Sequence, residues 1–278
     1  MKISKSLLKA ILCFALLLTA SNITIAKTIN FAIASDIHYK TTTTPTDNQK
    51  ALNGFVSRMN ENNYDFVIFL GDNIDKSKEK ELVSFLNIIK QIKSPYYLVM
   101  GDKDVHKISG MDKKKYIEIV AKYNKNQKKT QSSYTFKPNK DITVIVLDSV
   151  SSGMQTTHGV ISAKTLSWLD ATLTKNKNKK VLIFQHVPYY EPYAKQAYDI
   201  LDKQEYKAIL SKHNNILAVI SGHYHKEFAK DDNGVIHYCV PALSENPYYY
   251  VESTLKYKKL PLQKAKNFTL NGVVKPAI

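Results

Sequence analysis

The sequence predicts an α/β fold in which two β-sheets pack as a sandwich with helices on the outside. In the first half of the chain, short apolar runs typical of buried strands alternate with segments whose apolar residues recur at helical spacing. In the second half, strand-like runs become more frequent and helical segments fewer. No internal repeat or low-complexity tract interrupts residues 27–278, which favours a single domain over that range.

The predicted elements follow from this patterning, as where Leu52, Phe55, Val56 and Met59 are spaced for one face of a helix. The first half is predicted to contain strands at residues 29–34, 66–70 and 96–100, and helices at 47–62, 77–92 and 111–123. The second half is predicted to contain strands at 134–136, 142–147, 181–185, 216–220 and 235–240, and helices at 162–173 and 197–212. Loops are expected at 41–46, at 124–131 and in the C-terminal tail.

Residues 1–26 have the composition of a secretory signal peptide. Three lysines precede an apolar run at residues 10–20, and Ala26 ends a short cleavage motif. The run is too short to span a bilayer, so no stable transmembrane segment is expected after cleavage. We therefore expect export to the periplasm or the cell exterior, with cleavage before Lys27.

The charge of the chain is strongly positive, with a formal value of +16 that includes the three leader lysines. Arg58 is the only arginine, and the lysines are scattered among acidic and amide residues instead of forming a stripe with interleaved aromatics. This distribution disfavours nucleic acid as a partner. Two interpretations stay open, a field that attracts anionic substrates and a solvated surface. After cleavage Cys239 would be the only cysteine, which leaves no intramolecular disulfide, and no feature indicates an oligomeric state.

Polar clusters follow the predicted strands at the points where the strands end. The carboxylates and imidazoles in these clusters are Asp36, His38, Asp72, Asp75, Asp102, His186, His223 and His225. Taken singly, each fits a turn, a helix cap or a hydrogen-bonded core group. Because α/β folds place their sites at the carboxyl ends of strands, we expect the clusters to converge. Apart from Asp75, they supply seven mixed oxygen and nitrogen ligands, enough for two divalent ions that share one carboxylate.

The order of these motifs resembles the calcineurin-like metallophosphoesterases, whose pattern is D-x-H, G-D-x-x-D, G-N-[HD]-[DE], a lone His and G-H-x-H. The resemblance covers residues 29–243 and implies a metallophosphoesterase-like sandwich. It implies two divalent metal ions, Mn, Fe or Zn, with one held by Asp36, His38 and His225. Asp102, His186 and His223 would hold the other, and Asp72 would bridge them. His186 followed by Val187-Pro188, the 166–169 helix segment and residues 240–243 also resemble the class III cyclic nucleotide phosphodiesterase branch.

One motif departs from the family pattern, because Asp102 stands for the asparagine and Lys103 for the frequent histidine. By the resemblance, Lys103 occupies the position of the group that protonates the leaving group, and Asp75 orients it. The reference pKa of lysine is about 10.4, so Lys103 paired with Asp75 should stay protonated. We expect a fixed cation that stabilises phosphoryl charge instead of a general acid.

The implied activity is hydrolysis of a small-molecule phosphate mono- or diester by attack of a metal-bound hydroxide at a dinuclear site. Tyr189, Tyr190 and Tyr193 follow His186 closely, and they either stack on a base or aryl group of the substrate or simply pack a loop. A second function class stays open. On the same scaffold, the chain could be a non-catalytic exported module for metal binding or adhesion.

Overall fold

The computed structural model describes residues 26–106, 108–127, 130–151, 156–191, 193, 198–201, 203–245, 248–257 and 268–277. Except for Ala26, the predicted leader lies outside the described residues. Within the described ranges, no helix combines the length and the hydropathy that a membrane crossing requires.

The first sheet contains five strands, and its central part is parallel. The strands are β1 (Lys27–Ala34), β2 (Phe66–Phe69), β3 (Tyr96–Leu98), β10 (Tyr249–Tyr257) and β11 (Phe268–Pro276). Their order across the sheet is β11-β10-β1-β2-β3. β1, β2 and β3 run parallel, and β10 pairs antiparallel with both β1 and β11. The carboxyl ends of β1 and β2 therefore lie side by side.

The second sheet contains six strands with a parallel centre and antiparallel edges. The strands are β4 (Tyr134–Phe136), β5 (Ile142–Val146), β6 (Lys180–Phe184), β7 (Ile216–Ser221), β8 (Phe228–Asp232) and β9 (Val235–Cys239). Their order is β4-β5-β6-β7-β9-β8. The carboxyl ends of β6 and β7 are neighbours because these strands pair in parallel.

Five helices in the described part of the chain cover the outer faces of the sheets, and three of them begin at a residue whose side chain caps the helix. They are α1 (Asp47–Glu61), α2 (Glu79–Ile89), α3 (Lys113–Tyr123), α4 (Ala163–Lys175) and α5 (Lys203–Lys212). Thr46 and Gln49 form a capping box at the start of α1, and Asp112 and Ser162 cap α3 and α4. The apolar faces of α1, α2 and α3 pack in one core with the first sheet, and those of α4 and α5 pack in another with the second.

A third core lies between the two sheets and joins them. Phe31 of β1 stacks on Phe66 of β2 with ring centroids 4.8 Å apart, and it meets Phe184 of β6 edge-on at 5.9 Å. All three side chains are buried. Burial of apolar surface on both faces explains why these strands are continuous apolar runs. The predicted sandwich with external helices is confirmed.

Two parts of the predicted element order are wrong. The helix predicted at 197–212 begins only at Lys203, because Ile200 and Leu201 donate their backbone N–H groups to Pro188 and Gly159 in a loop. The C-terminal tail, expected to be loop, contains β10 and β11. β10 pairs with β1, which is distant in the sequence, and with β11. The polar strand β8 pairs with β9. A local pattern of apolar residues does not predict strands that depend on such pairing.

Candidate metal centre

Loops from both sheets meet at one edge of the sandwich and are joined by backbone hydrogen bonds. His38 N donates to Asp72 O at 2.9 Å, which links the loops after β1 and β2. Leu243 N donates to Ser35 O at 2.8 Å, which links the loop after β9 to the one after β1. The residues that follow separate strands are thereby held at fixed positions across the two sheets.

Two motif glycines allow this close approach between the sheets. A Cβ on Gly71, whose φ is +98°, would lie 2.5 Å from His186 Nδ1 of the other sheet. A Cβ on Gly222 would lie 1.9 Å from Ser35 Oγ and 2.7 Å from Asp36 Oδ2. All three distances are shorter than a Cβ tolerates, so the geometry of the edge requires glycine at both positions.

Asp36, His38 and His225 form the first ligand group, with one ligand atom from each within 4.8 Å of the others. His225 Nε2 lies 3.4 Å from Asp36 Oδ1 and 3.3 Å from His38 Nε2. An oxygen and two imidazole nitrogens at this spacing form a ligand set suited to a divalent transition ion.

Asp72, Asp102, His186 and His223 form the second ligand group, again with ligand atoms within 4.8 Å of one another. Asp102 Oδ1 lies 3.3 Å from His186 Nε2 and 3.2 Å from His223 Nδ1. The structure thus distributes the seven predicted ligands over two groups.

Asp72 lies between the two groups and presents a different oxygen to each. Its Oδ1 is 3.4 Å from His186 Nε2 in the second group, and its Oδ2 is 3.9 Å from His38 Nε2 in the first. The backbone N–H of Lys103 donates to Oδ1 at 2.8 Å and fixes the orientation of the carboxylate. This is the position that a bridging carboxylate needs.

Outer partners turn one nitrogen of each of three histidines towards the ligand groups. His186 Nδ1 contacts Leu70 O at 2.9 Å, and His223 Nε2 contacts Thr157 O at 2.7 Å. Because a carbonyl only accepts, these nitrogens carry the proton and the opposite nitrogens are available as ligands.

His225 Nδ1 contacts Glu245 Oε1 at 2.7 Å, which leaves its Nε2 facing Asp36. Sequence reasoning missed Glu245, which lies beyond residues 29–243 that carry the motifs.

Two buried carboxylate oxygens fit a cation directly. Asp36 Oδ1 and Asp102 Oδ1, one in each group, are buried and have no hydrogen-bond partner. Buried polar atoms without partners are rare, and an oxygen of this kind beside imidazole nitrogens is typical of a ligand position. The residues present therefore fit two divalent ions.

The electrostatics of the groups favour positive charge. Burial raises the pKa of Asp102, but the close approach of His186 and His223 outweighs burial and brings the pKa well below its usual range. Burial lowers the pKa of His225, but contact with Asp36 and Glu245 outweighs burial and raises the pKa to about 9. Since imidazole ligands must be neutral, a cation among these carboxylates would replace the histidine protons.

Lys103 and Asp75 do not form the ion pair that was expected. Lys103 Nζ lies 2.7 Å from Asp102 Oδ2, whereas Asp75 Oδ1 lies 3.3 Å from Lys40 Nζ and 3.9 Å from His38 Nδ1. The hydrogen bond from the backbone of Lys103 to Asp72 fixes the lysine beside the second group, and Asp75 is paired with Lys40 instead.

The surroundings of Lys103 keep its side chain protonated. Burial lowers the pKa of Lys103, but the negative charges of Asp102, Asp72 and Asp36 outweigh burial and raise the pKa above its usual value. A cation therefore lies at the edge of the second ligand group, and its partner there is Asp102 instead of the expected Asp75.

Asp104 ties together the two loops that carry Asp72 and Asp102, a role that sequence reasoning did not assign. Its Oδ1 accepts from Asn73 N at 2.9 Å and Ile74 N at 3.1 Å. Its Oδ2 accepts from Gly101 N at 2.9 Å and from the Asn73 amide at 2.9 Å. The position of Asp104 in the motif of residues 101–104 could have indicated this role.

Two of the three tyrosines after His186, Tyr189 and Tyr190, pack a loop, whereas Tyr193 is 47% exposed. Tyr189 is 6% exposed, and its ring contacts that of Tyr190 at 4.7 Å between centroids. The Tyr190 hydroxyl donates to Asp232 at 2.7 Å. By contrast Tyr198, which was not singled out, is 38% exposed and lies with its ring 5.6 Å from that of His223. Tyr198 is thus an exposed aromatic residue in contact with the second ligand group.

Comparison with known proteins identifies relatives of this chain. A family model described as calcineurin-like phosphoesterase matches residues 29–227. The probable glycerophosphodiester phosphodiesterase GpdQ of Arcobacter nitrofigilis is 28% identical over 169 residues, which cover 58% of this chain and 57% of that protein. The probable cyclic nucleotide phosphodiesterase of Moraxella catarrhalis is 24% identical over 215 residues, which cover 74% of each chain.

A solved structure has the same fold. A dimetal phosphatase from Danio rerio superposes with a TM-score of 0.64 at 16% identity, covering 87% of this chain and 98% of that one. The motif resemblance and the fold are both confirmed by these matches, and the named relatives are hydrolases of phosphate esters. Because the family model spans most of the sequence, the chain belongs to the calcineurin-like phosphoesterase family.

Proposed function

We propose that this protein is an exported phosphoesterase that hydrolyses phosphate mono- or diesters at a dinuclear metal centre, with diesters favoured by the names of its relatives. The position of Asp72 is the observation that carries the proposal. Its two oxygens face two separate ligand groups. A single carboxylate between two sets of imidazoles can bind one ion through each of its oxygens, which suits a pair of ions better than a single ion.

The chain's own residues would hold the ions and supply a fixed charge. Asp36, His38 and His225 would hold one ion, Asp102, His186 and His223 the other, and Asp72 both. When bound, such ions lower the pKa of water and neutralise phosphoryl charge. Lys103 remains protonated beside Asp102 and adds a cation for a phosphoryl oxygen.

Backbone strain at the ligands supports a functional centre. Among the described residues other than glycine, seven have a positive φ, and five of these are Asp36, His38, Asp72, His223 and His225. Each such conformation costs about 1–2 kcal/mol. Strain concentrated in this way persists where the surrounding structure enforces a required geometry, as at ligand sites.

Export is the part of the proposal that concerns the N-terminus. The leader composition supports it, and β1 begins at Lys27, so cleavage before that residue would leave the first strand intact. We expect full-length protein made in a Gram-negative host to appear in the periplasm with Lys27 as its first residue. N-terminal sequencing after cell fractionation measures this. Uncleaved protein retained in the cytoplasm would contradict export.

Asp72→Asn tests the shared ligand. We expect it to abolish turnover and lower the occupancy of both ions, because the neutral amide loses the charge that faces both groups. His225→Ala should mainly empty one position, and Asp75→Asn, which lies outside both groups, should keep both ions. Elemental analysis after dialysis against limiting Mn²⁺ measures ions per chain. Equal metal content in wild type and Asp72→Asn protein would rule out the bridge.

Lys103→Ala tests the fixed cation. If Lys103 stabilises phosphoryl charge, aryl and alkyl esters should slow by similar factors, roughly tenfold for a partly exposed charge. Steady-state kinetics with a p-nitrophenyl ester and a matched alkyl ester measures both factors. Lys40→Ala, which removes the partner of Asp75, serves as the control. A much larger loss for the alkyl ester would show instead that Lys103 protonates the leaving group.

A further inference from the structure

A cleft of about 930 Å³ adjoins the second ligand group. Its lining comes from the loop that follows β2, from the stretch between the end of β3 and the start of α3, and from the loop that follows β5. Asp102 and Lys103 line both the cleft and the centre. Thr157, whose carbonyl contacts His223 at 2.7 Å, lines it as well. A substrate whose phosphoryl group lies at the centre can therefore extend into this space.

Hydrogen bonds join two of these segments, the loop after β2 and the loop before α3. Met111 N donates to Ser77 Oγ at 2.8 Å, and Ser77 Oγ donates to Met111 O at 3.1 Å. Gly110 packs so closely that a Cβ on it would lie 2.5 Å from Ser77 Cβ. Because Ser77 is buried in this contact, the lysines on either side of it, Lys76 and Lys78, are held at the wall of the cleft.

Three lysines of the cleft have no acidic partner. Among the residues that the structure describes, no carboxylate lies within 4 Å of the Nζ atoms of Lys76, Lys78 and Lys114. Lys113 differs, because its Nζ lies 2.7 Å from Asp148 Oδ2. Three unpaired cations around one concave space repel one another, and an anion in that space relieves the repulsion.

The acids of the cleft are already engaged. Asp75 faces Lys40 at 3.3 Å, Asp102 belongs to the second ligand group, and Asp112 caps α3 by accepting from Lys115 N at 2.7 Å. Five lysines and three aspartates line the cleft, so its formal charge is positive.

One apolar side chain completes the cleft. Ile108 is 91% exposed and lies in a turn closed by the hydrogen bonds of His106 N to Met111 O and of Gly110 N to His106 O. A large exposed aliphatic group beside unpaired cations suits an organic anion better than an inorganic one.

We propose that this cleft holds the non-reacting part of the substrate, and that this part is an organic group carrying a second phosphate. The assignment rests on the proposed phosphoesterase function, and it names the substrate class for the same centre. The reacting phosphoryl group lies at the two ligand groups. Lys76, Lys78 and Lys114 contact the second phosphate, and Ile108 packs on the organic scaffold.

Two esters with the same reacting group test this directly. Thymidine 5′-(p-nitrophenyl phosphate) and its 3′-phosphorylated form release the same phenolate and differ only in a remote phosphate. With Mn²⁺ present, we expect the wild type to prefer the 3′-phosphorylated ester in kcat/KM. The variant Lys76→Gln/Lys78→Gln/Lys114→Gln should reduce that preference by roughly tenfold, the combined effect of three exposed ion pairs.

A matched variant controls for loss of general positive charge. Lys164→Gln/Lys177→Gln/Lys207→Gln removes three exposed lysines that do not line the cleft, and it should leave the preference unchanged within about twofold. Equal losses for both esters in the cleft variant, or no loss for either, would overturn the assignment and indicate an ordinary solvated surface.

Binding of inorganic diphosphate separates this inference from the proposed function. If the wild type hydrolyses neither these diesters nor p-nitrophenyl phosphate, the phosphoesterase proposal is contradicted, and calorimetry of diphosphate binding then decides on the cleft. Weaker binding by the cleft variant than by the control variant supports an anion site. Equal binding by both overturns it.

Discussion

Three neighbouring carboxylates, those of Asp36, Asp72 and Asp102, are the constraint on which this structure depends. Asp36 and Asp72 are 0% and 2% exposed, and Asp102 has a buried oxygen without a hydrogen-bond partner. Buried negative charges are costly unless cations or donors compensate them. Imidazoles, the ammonium of Lys103 and the backbone N–H groups of His223 and Lys103 all point at these oxygens. The carboxylates thus specify a centre that attracts positive charge.

The scaffold accepts unfavourable local geometry to bring these carboxylates together. Gly71 and Gly222 remove side chains where the two sheets touch, and five ligand residues adopt left-handed backbone conformations. Packing elsewhere offsets this cost, above all in the apolar core between the sheets. Asp104 is buried and accepts four hydrogen bonds from the loops that carry Asp72 and Asp102. These bonds fix the two loops relative to each other. Stability and ligand geometry therefore depend on the same loops.

The sequence predicted those features that depend on a local pattern of apolar and polar residues. Buried parallel strands are apolar runs, and their polar ends were therefore visible as candidate ligands, as with His223 and His225 after β7. The sequence did not predict contacts that depend on the conformation of a loop. Lys103 pairs with Asp102, its neighbour in the loop, while Asp75 faces Lys40, and sequence spacing does not encode either contact. Glu245 and β10 contact residues about 20 and more than 200 positions away in the chain, beyond the reach of local periodicity.

Metal stoichiometry tests the central claim of two ligand groups joined by Asp72. Metal-stripped protein would be titrated with Mn²⁺, with ions per chain counted by elemental analysis and hydrolysis of bis(p-nitrophenyl) phosphate followed at each step. We expect two ions per chain and hydrolysis that appears as the second ion binds. Full hydrolysis with one ion per chain, or in metal-stripped protein, would contradict a dinuclear centre.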